Sequence, residues 1–126
     1  ASVQAATATI EEWRIQASKK FPNQYFGLTG LCMYHGIAYN GPAAYMPLEM
    51  YERQLQVNFL GFLRVIQNIL PVMQTHSSST LPGRIVLTGT GGGPCSPCPP
   101  LLTAYMASKF ATEAYCQSLR QELFMT

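Results

Sequence analysis

The sequence predicts an α/β fold from three observations. Apolar stripes at helical spacing alternate with short apolar runs, Gly and Pro punctuate the joins, and the order reads helix, strand, helix, strand, helix. Val3, Ala6, Ile10, Trp13, Ala17 and Phe21 mark the first helix, with Ser2 placed to cap it and Lys19 and Lys20 suited to its negative C-terminal end. This stripe is expected to pack as core against a sheet. Pro22-Asn23-Gln24 breaks the helix, and a strand over about 28–34 follows, ending at His35-Gly36. Tyr39-Asn40-Gly41-Pro42 is turn chemistry, and Pro47 suits the first position of one long helix over 48–76. Its apolar stripe reads Tyr51, Leu55, Phe62, Val65, Ile69 and Met73, with Asn58 on the same face and Pro71 set to kink its end. A buried amide at Asn58 must find hydrogen-bond partners or cost about 1–3 kcal/mol. A polar loop leads to a buried strand over about 84–88. The last helix carries Ala111, Tyr115, Leu119 and Leu123 as its packing stripe.

Composition narrows the function. With 126 residues the chain is one domain at most, and only 11% of it is charged, against roughly 25% in typical soluble domains. So little polar surface implies burial against something else. A scattered net charge of +2 argues against nucleic acid. Asn58 and Arg64 interrupt the longest apolar run, so no membrane span is expected. The four cysteines are unevenly spaced, which fits reduced thiols and a cytoplasmic setting better than a disulfide framework. Cys95-Ser96-Pro97-Cys98 is a single Cys-x-x-Cys pair, too few ligands for a structural zinc, and Pro99-Pro100 separate it from the helix dipole that would activate a thiol. No metal site is expected. His35, a lone histidine in a turn, reads as structural, and His76 is assigned no role. The glycines after Thr88 do not make a dinucleotide fingerprint, because a Gly-x-Gly-x-x-Gly begun at Gly89 meets Pro94 where its last glycine belongs.

The chemistry gathers at the start of the last helix. Tyr105 and Lys109 lie one turn apart on one face. An ammonium held beside a phenol favours the phenolate, which lets a tyrosine pass a proton to or from a substrate oxygen near neutral pH.

Ala104-Tyr105-Met106-Ala107-Ser108-Lys109-Phe110-Ala111, then Ser118-Leu119-Arg120-Gln121-Glu122-Leu123, resembles the active-site helix of the short-chain dehydrogenase/reductase family. Val57-Asn58-Phe59-Leu60-Gly61 resembles the family segment whose asparagine holds a water in the proton path. Met33-Tyr34-His35-Gly36 stands where the family has Asn-Asn-Ala-Gly beside the cofactor, and keeps the glycine. The likeness is greatest to hydroxysteroid, retinol and hydroxybutyrate dehydrogenases. It implies a partial Rossmann-like, doubly wound parallel sheet, of which residues 1–126 supply strands four and five with their flanking helices. The glycine-rich loop over the pyrophosphate and the C-terminal substrate lid would lie outside the chain, which alone is expected to be inactive. The implied reaction is reversible hydride transfer between NAD or NADP and a secondary alcohol or carbonyl. Tyr105 would be the acid/base, Lys109 would bond the nicotinamide ribose and tune Tyr105, and Asn58 would anchor the relay water. Gly36 would border the cofactor. Thr90, after Thr88-Gly89 at the strand end, would polarise the substrate oxygen, with Ser96 as its rival. The family's dimer face implies a homo-oligomer through the long helix and the last one, where Ala107, Ala111 and Ala114 permit close approach. The alternative is a pseudo-enzyme keeping the fold for an interaction role, favoured by the lost asparagines at Met33 and Tyr34.

Overall fold

The computed structural model describes residues 2–77, 81–91 and 97–125. Their elements run α1 (Val3–Lys20), β1 (Gly30–Met33), α2 (Leu48–Asn58), α3 (Leu60–His76), β2 (Arg84–Leu87) and α4 (Thr103–Met125). The α/β order matches the sequence. β1 and β2 pair in one two-stranded sheet. Arg84 N–H donates to the Thr29 carbonyl at 2.8 Å and Thr88 N–H to the Met33 carbonyl at 3.1 Å, so both strands advance together and the pair is parallel. Both strands are shorter than expected. The chain divides into two compact units, Ala1–Cys32 with Leu63–Val86, and Met33–Phe62 with Leu87–Thr126.

In the first unit Ser2 caps α1 as expected, its hydroxyl accepting from Ala5 N–H at 3.2 Å. The expected burial of the α1 stripe does not occur. No residue of α1 is buried, and Trp13 is 61% exposed, meeting Phe26 edge-on at 6.0 Å. The reason is geometric. An 18-residue helix is about 27 Å long, whereas a four-residue strand spans only about 13 Å. Two such strands offer too little sheet to cover it. The strand over 84–88 was expected to be buried, yet β2 alternates exposed and half-buried positions, with Val86 46% exposed, so one face of it is left uncovered among the described residues. Ile66, Ile69 and Met73 on α3 make this unit's apolar core. His76 closes the end of α3, its Nδ1 accepting from Leu28 N–H at 3.2 Å and its Nε2 lying 3.6 Å from Glu11 Oε1.

In the second unit α2 packs against α4. The single helix expected over 48–76 is broken at Phe59 (φ −116°, ψ −63°), and α3 then runs on through Pro71. The Asn58 carbonyl accepts from Thr112 Oγ1 at 3.0 Å, which diverts it from the next turn of its own helix. The buried face of α2 keeps Asn58, as expected, but is turned toward Gln54 and away from Leu55. Gln54 and Asn58 are wholly buried, while Leu55 is 37% exposed. Both amides bond backbone across the unit, Gln54 Oε1 accepting from Tyr39 N–H at 3.1 Å. α4 buries Ala104, Ser108 and Thr112 at four-residue spacing, together with Met106, Lys109 and Leu119, and leaves Leu123 exposed. Counted through the break, Leu48–His76 is 29 residues with mean hydropathy 1.2, so one helical stretch does reach the length and apolarity of a membrane span, against the sequence expectation. Length and composition are weak grounds for one, and two of its side chains, Gln54 and Asn58, are spent on protein backbone.

Candidate active site

The second unit holds a pocket of about 300 Å³ lined by Tyr34, Gly36, Ile37, Ala38, Thr88, Gly89, Tyr105 and Lys109. Three segments build it: the chain leaving β1, the chain leaving β2, and the first turns of α4. Tyr105 and Lys109 face it together because four residues of helix stack them. Lys109 is only 4% exposed, and its Nζ donates to the Thr88 carbonyl at 3.0 Å, which fixes the ammonium at the strand end. The same Nζ lies 5.9 Å from the centre of the Tyr105 ring. Burial holds the Lys109 pKa below its ordinary value.

Asn58 organises the floor. Its Oδ1 accepts from Ile37 N–H at 2.8 Å, and its Nδ2 donates to the Ile37 carbonyl at 2.8 Å and to Ser108 Oγ at 2.9 Å. The Ser108 hydroxyl in turn donates to the Tyr105 carbonyl at 2.7 Å. Thr112 Oγ1 lies 3.0 Å from both the Asn58 and the Ser108 carbonyls and shares its one proton between them. The amide thus ties the segment after β1 to the helix that carries Tyr105. Ser108 and Thr112 were missed as partners of Asn58. The signal was present, since two hydroxyls four apart on a helix share a face, as do Tyr105 and Lys109.

Gly36 leaves room for two polar heads. A Cβ there would come within 3.3 Å of Lys109 Nζ and 3.4 Å of Asn58 Oδ1. Its absence keeps the pocket open beside two polar heads, and an ammonium with donors beyond its Thr88 bond suits the hydroxyls of a nucleotide ribose. Met33, in the place of a family asparagine, is buried, and its carbonyl accepts from Thr88 Oγ1 at 3.2 Å. Tyr34, which the sequence left without a role, lines the pocket with its ring 70% exposed. Thr90 stands just beyond the lining, half-buried, its Oγ1 3.8 Å from Met106 Sδ. Tyr105, Lys109, Gly36 and Asn58 therefore come together in one unit, with Thr90 at its margin. Ser96 and Cys95 lie outside the described residues. Cys32, Cys98 and Cys116 are free thiols.

The profile of the short chain dehydrogenase family matches residues 2–126. The chain belongs to this family. Among its relatives, the uncharacterized oxidoreductase YbbO of Escherichia coli strain K12 is 34% identical over 106 residues, covering 80% of this chain and 37% of that protein. Human 17-beta-hydroxysteroid dehydrogenase type 1 is 36% identical over 84 residues, covering 67% of this chain and 24% of its own length. The Pseudomonas aeruginosa RhlG/NADP active-site complex superposes with a TM-score of 0.72 at 22% identity, over 98% of this chain and 46% of that one, a likeness of fold. The chain spans about two fifths of the curated relatives it matches first, 40% of YusZ of Bacillus subtilis and 37% of YbbO. Its two parallel strands and their flanking helices are part of a Rossmann-like fold.

Proposed function

We propose that this chain carries the proton-transfer machinery of a reversible oxidoreduction between a nicotinamide dinucleotide, NAD or NADP, and a secondary alcohol or ketone. The observation that supports it most is the pocket wall on which Tyr105, Lys109 and Gly36 meet. The dinucleotide, when bound, supplies or accepts the hydride, and Lys109, Tyr105 and Gly36 are the residues that would hold its ribose side. Tyr105 gives its hydroxyl proton to the carbonyl oxygen in reduction and takes it back in oxidation. Lys109, fixed on the Thr88 carbonyl, sets positive charge near the oxygen on which negative charge develops. Thr90 donates to the substrate oxygen, and Asn58 anchors the water that returns a proton toward Lys109. Residues 1–126 form part of a single dinucleotide-binding domain, with its glycine-rich loop and substrate lid encoded outside them. The whole protein is a cytoplasmic homo-oligomer that joins copies through the long helical stretch and α4, where Ala107 and Ala114 are exposed small positions.

The test uses the intact protein with NADH and NADPH and a panel of ketones. Tyr105→Phe removes the proton donor while keeping the ring, so turnover is abolished and cofactor affinity stays within about three-fold. Lys109→Ala weakens both. Equal loss of cofactor binding in the two variants overturns this division of labour, and cofactor binding without turnover in the parent protein transfers the case to a pseudo-enzyme.

A further inference from the structure

His35 follows β1 and immediately precedes Gly36, and its surroundings are unusual for a turn histidine. Its ring packs on Phe62 with centroids 4.1 Å apart and a tilt of 32°. Its Nε2 is closed off from solvent and has no hydrogen-bond partner. Gly61 makes the room, since a Cβ there would approach that nitrogen to 3.1 Å. The Val57 backbone carbonyl favours a proton on the ring, but Nε2 itself has no partner to receive one. The same Phe62 ring, wholly buried, has the Lys109 ammonium 5.7 Å from its centre. One phenyl ring thus serves an imidazole in contact and an ammonium within cation–π range. α4 presents the Lys109 charge to His35, α2 presents only the Val57 carbonyl, and α3 presents Gly61 and Phe62, neither of which titrates.

We propose that His35 is a positioning residue for Lys109: as a neutral imidazole it braces the Phe62 ring beside which the ammonium rests, and on taking a proton it drives that ammonium away from the pocket. A proton on Nε2 would be a buried donor with nothing to bond, and it would set a second cation against the first across one ring. Both penalties fall on the charged form, and burial and Lys109 together hold the His35 pKa below its ordinary value of 6.5. Acidification therefore acts on Lys109 through a residue that never touches the ligand. The consequence for cofactor binding rests on the dehydrogenase reading, whereas the coupling between the two cations does not.

Two measurements on the intact protein separate these. Nuclear magnetic resonance titration of the His35 ring should give a midpoint below 6.5 that rises in Lys109→Gln. NADPH affinity, followed by fluorescence between about pH 8 and pH 5, should fall on the acid side by at most about tenfold per pH unit, the limit for one linked proton. In His35→Gln, which keeps a polar side chain but does not titrate, that acid fall should shrink to less than about twofold whatever the starting affinity. An unmoved His35 midpoint in Lys109→Gln, or an acid fall that persists in His35→Gln, overturns the proposal. Failure of the parent protein to bind NADPH at any pH refutes the dehydrogenase reading instead, and the ring titration alone then decides the coupling.

Discussion

Asn58→Ala removes the side chain on which the second unit depends most, and its cost can be worked from the contacts. The residue is wholly buried and makes three side-chain hydrogen bonds, two to Ile37 backbone and one to Ser108. Each such bond contributes about 0.5–1.5 kcal/mol net, and a buried group left without a partner costs about 1–3 kcal/mol. The substitution strands the Ile37 N–H and carbonyl, while Ser108 keeps its bond to the Tyr105 carbonyl. A loss of about 3–5 kcal/mol follows, a fifth or more of the about 5–15 kcal/mol that holds an ordinary domain together. Urea unfolding should show it as a lowered midpoint at unchanged slope, and heating as a Tm about 10 °C or more lower. Gln54→Ala is the internal comparison. Gln54 is equally buried but makes one bond outside its own helix, to Tyr39 N–H, so about 1–2 kcal/mol is expected. If Asn58→Ala costs less than about 1 kcal/mol, or no more than Gln54→Ala, the amide is not the tie described here.

Thr90→Val keeps the shape and removes the proposed donor to the substrate oxygen, so kcat should fall about 10²–10³-fold while Thr90→Ser retains most activity; equal rates in all three proteins remove Thr90 from the mechanism. Stability should also depend on pH through His35. Above about 6.5 the imidazole is neutral in both folded and unfolded chains; as pH falls below that value the unfolded chain takes the proton first, so stability declines until the lowered folded pKa is passed. Urea midpoints against pH check this, and His35→Gln should flatten that segment of the curve. Trp13→Ala should cost no more than about 2 kcal/mol, because a side chain 61% exposed keeps only about 100 Å² out of water at about 25 cal/mol/Å²; a loss of about 4 kcal/mol or more would restore the core reading of the α1 stripe.

How much was legible in the sequence differs between backbone order and side-chain partners. Element order, the Ser2 cap and the helix that stacks Tyr105 over Lys109 follow from local rules, namely periodicity, capping and the four-residue turn. Gly36 was placed by resemblance, and its physical reason, two polar heads within 3.3 and 3.4 Å of a would-be Cβ, needed coordinates. What local rules missed is part of the buried face of α2. Apolarity selected Tyr51 and Leu55 there, and of that face only Asn58 is buried as expected; Gln54 is the unforeseen one, because both amides satisfy backbone groups of residues 37 and 39 that lack strand partners. The break at Phe59 was hidden for the same reason. It rests on a hydroxyl, Thr112, more than fifty residues away, and no window of sequence contains both ends of that bond.

The position of Lys109 is therefore set by long-range polar contacts rather than by its own helix alone. Helical spacing aims its stem at the pocket, but the Thr88 carbonyl at 3.0 Å fixes the ammonium. The Asn58–Ser108 bond holds α4 to the segment that carries Gly36. Loosening that segment should blur the pocket before the helix melts, since a four-residue spacing survives in any intact α4 whereas the Thr88 and Asn58 bonds do not.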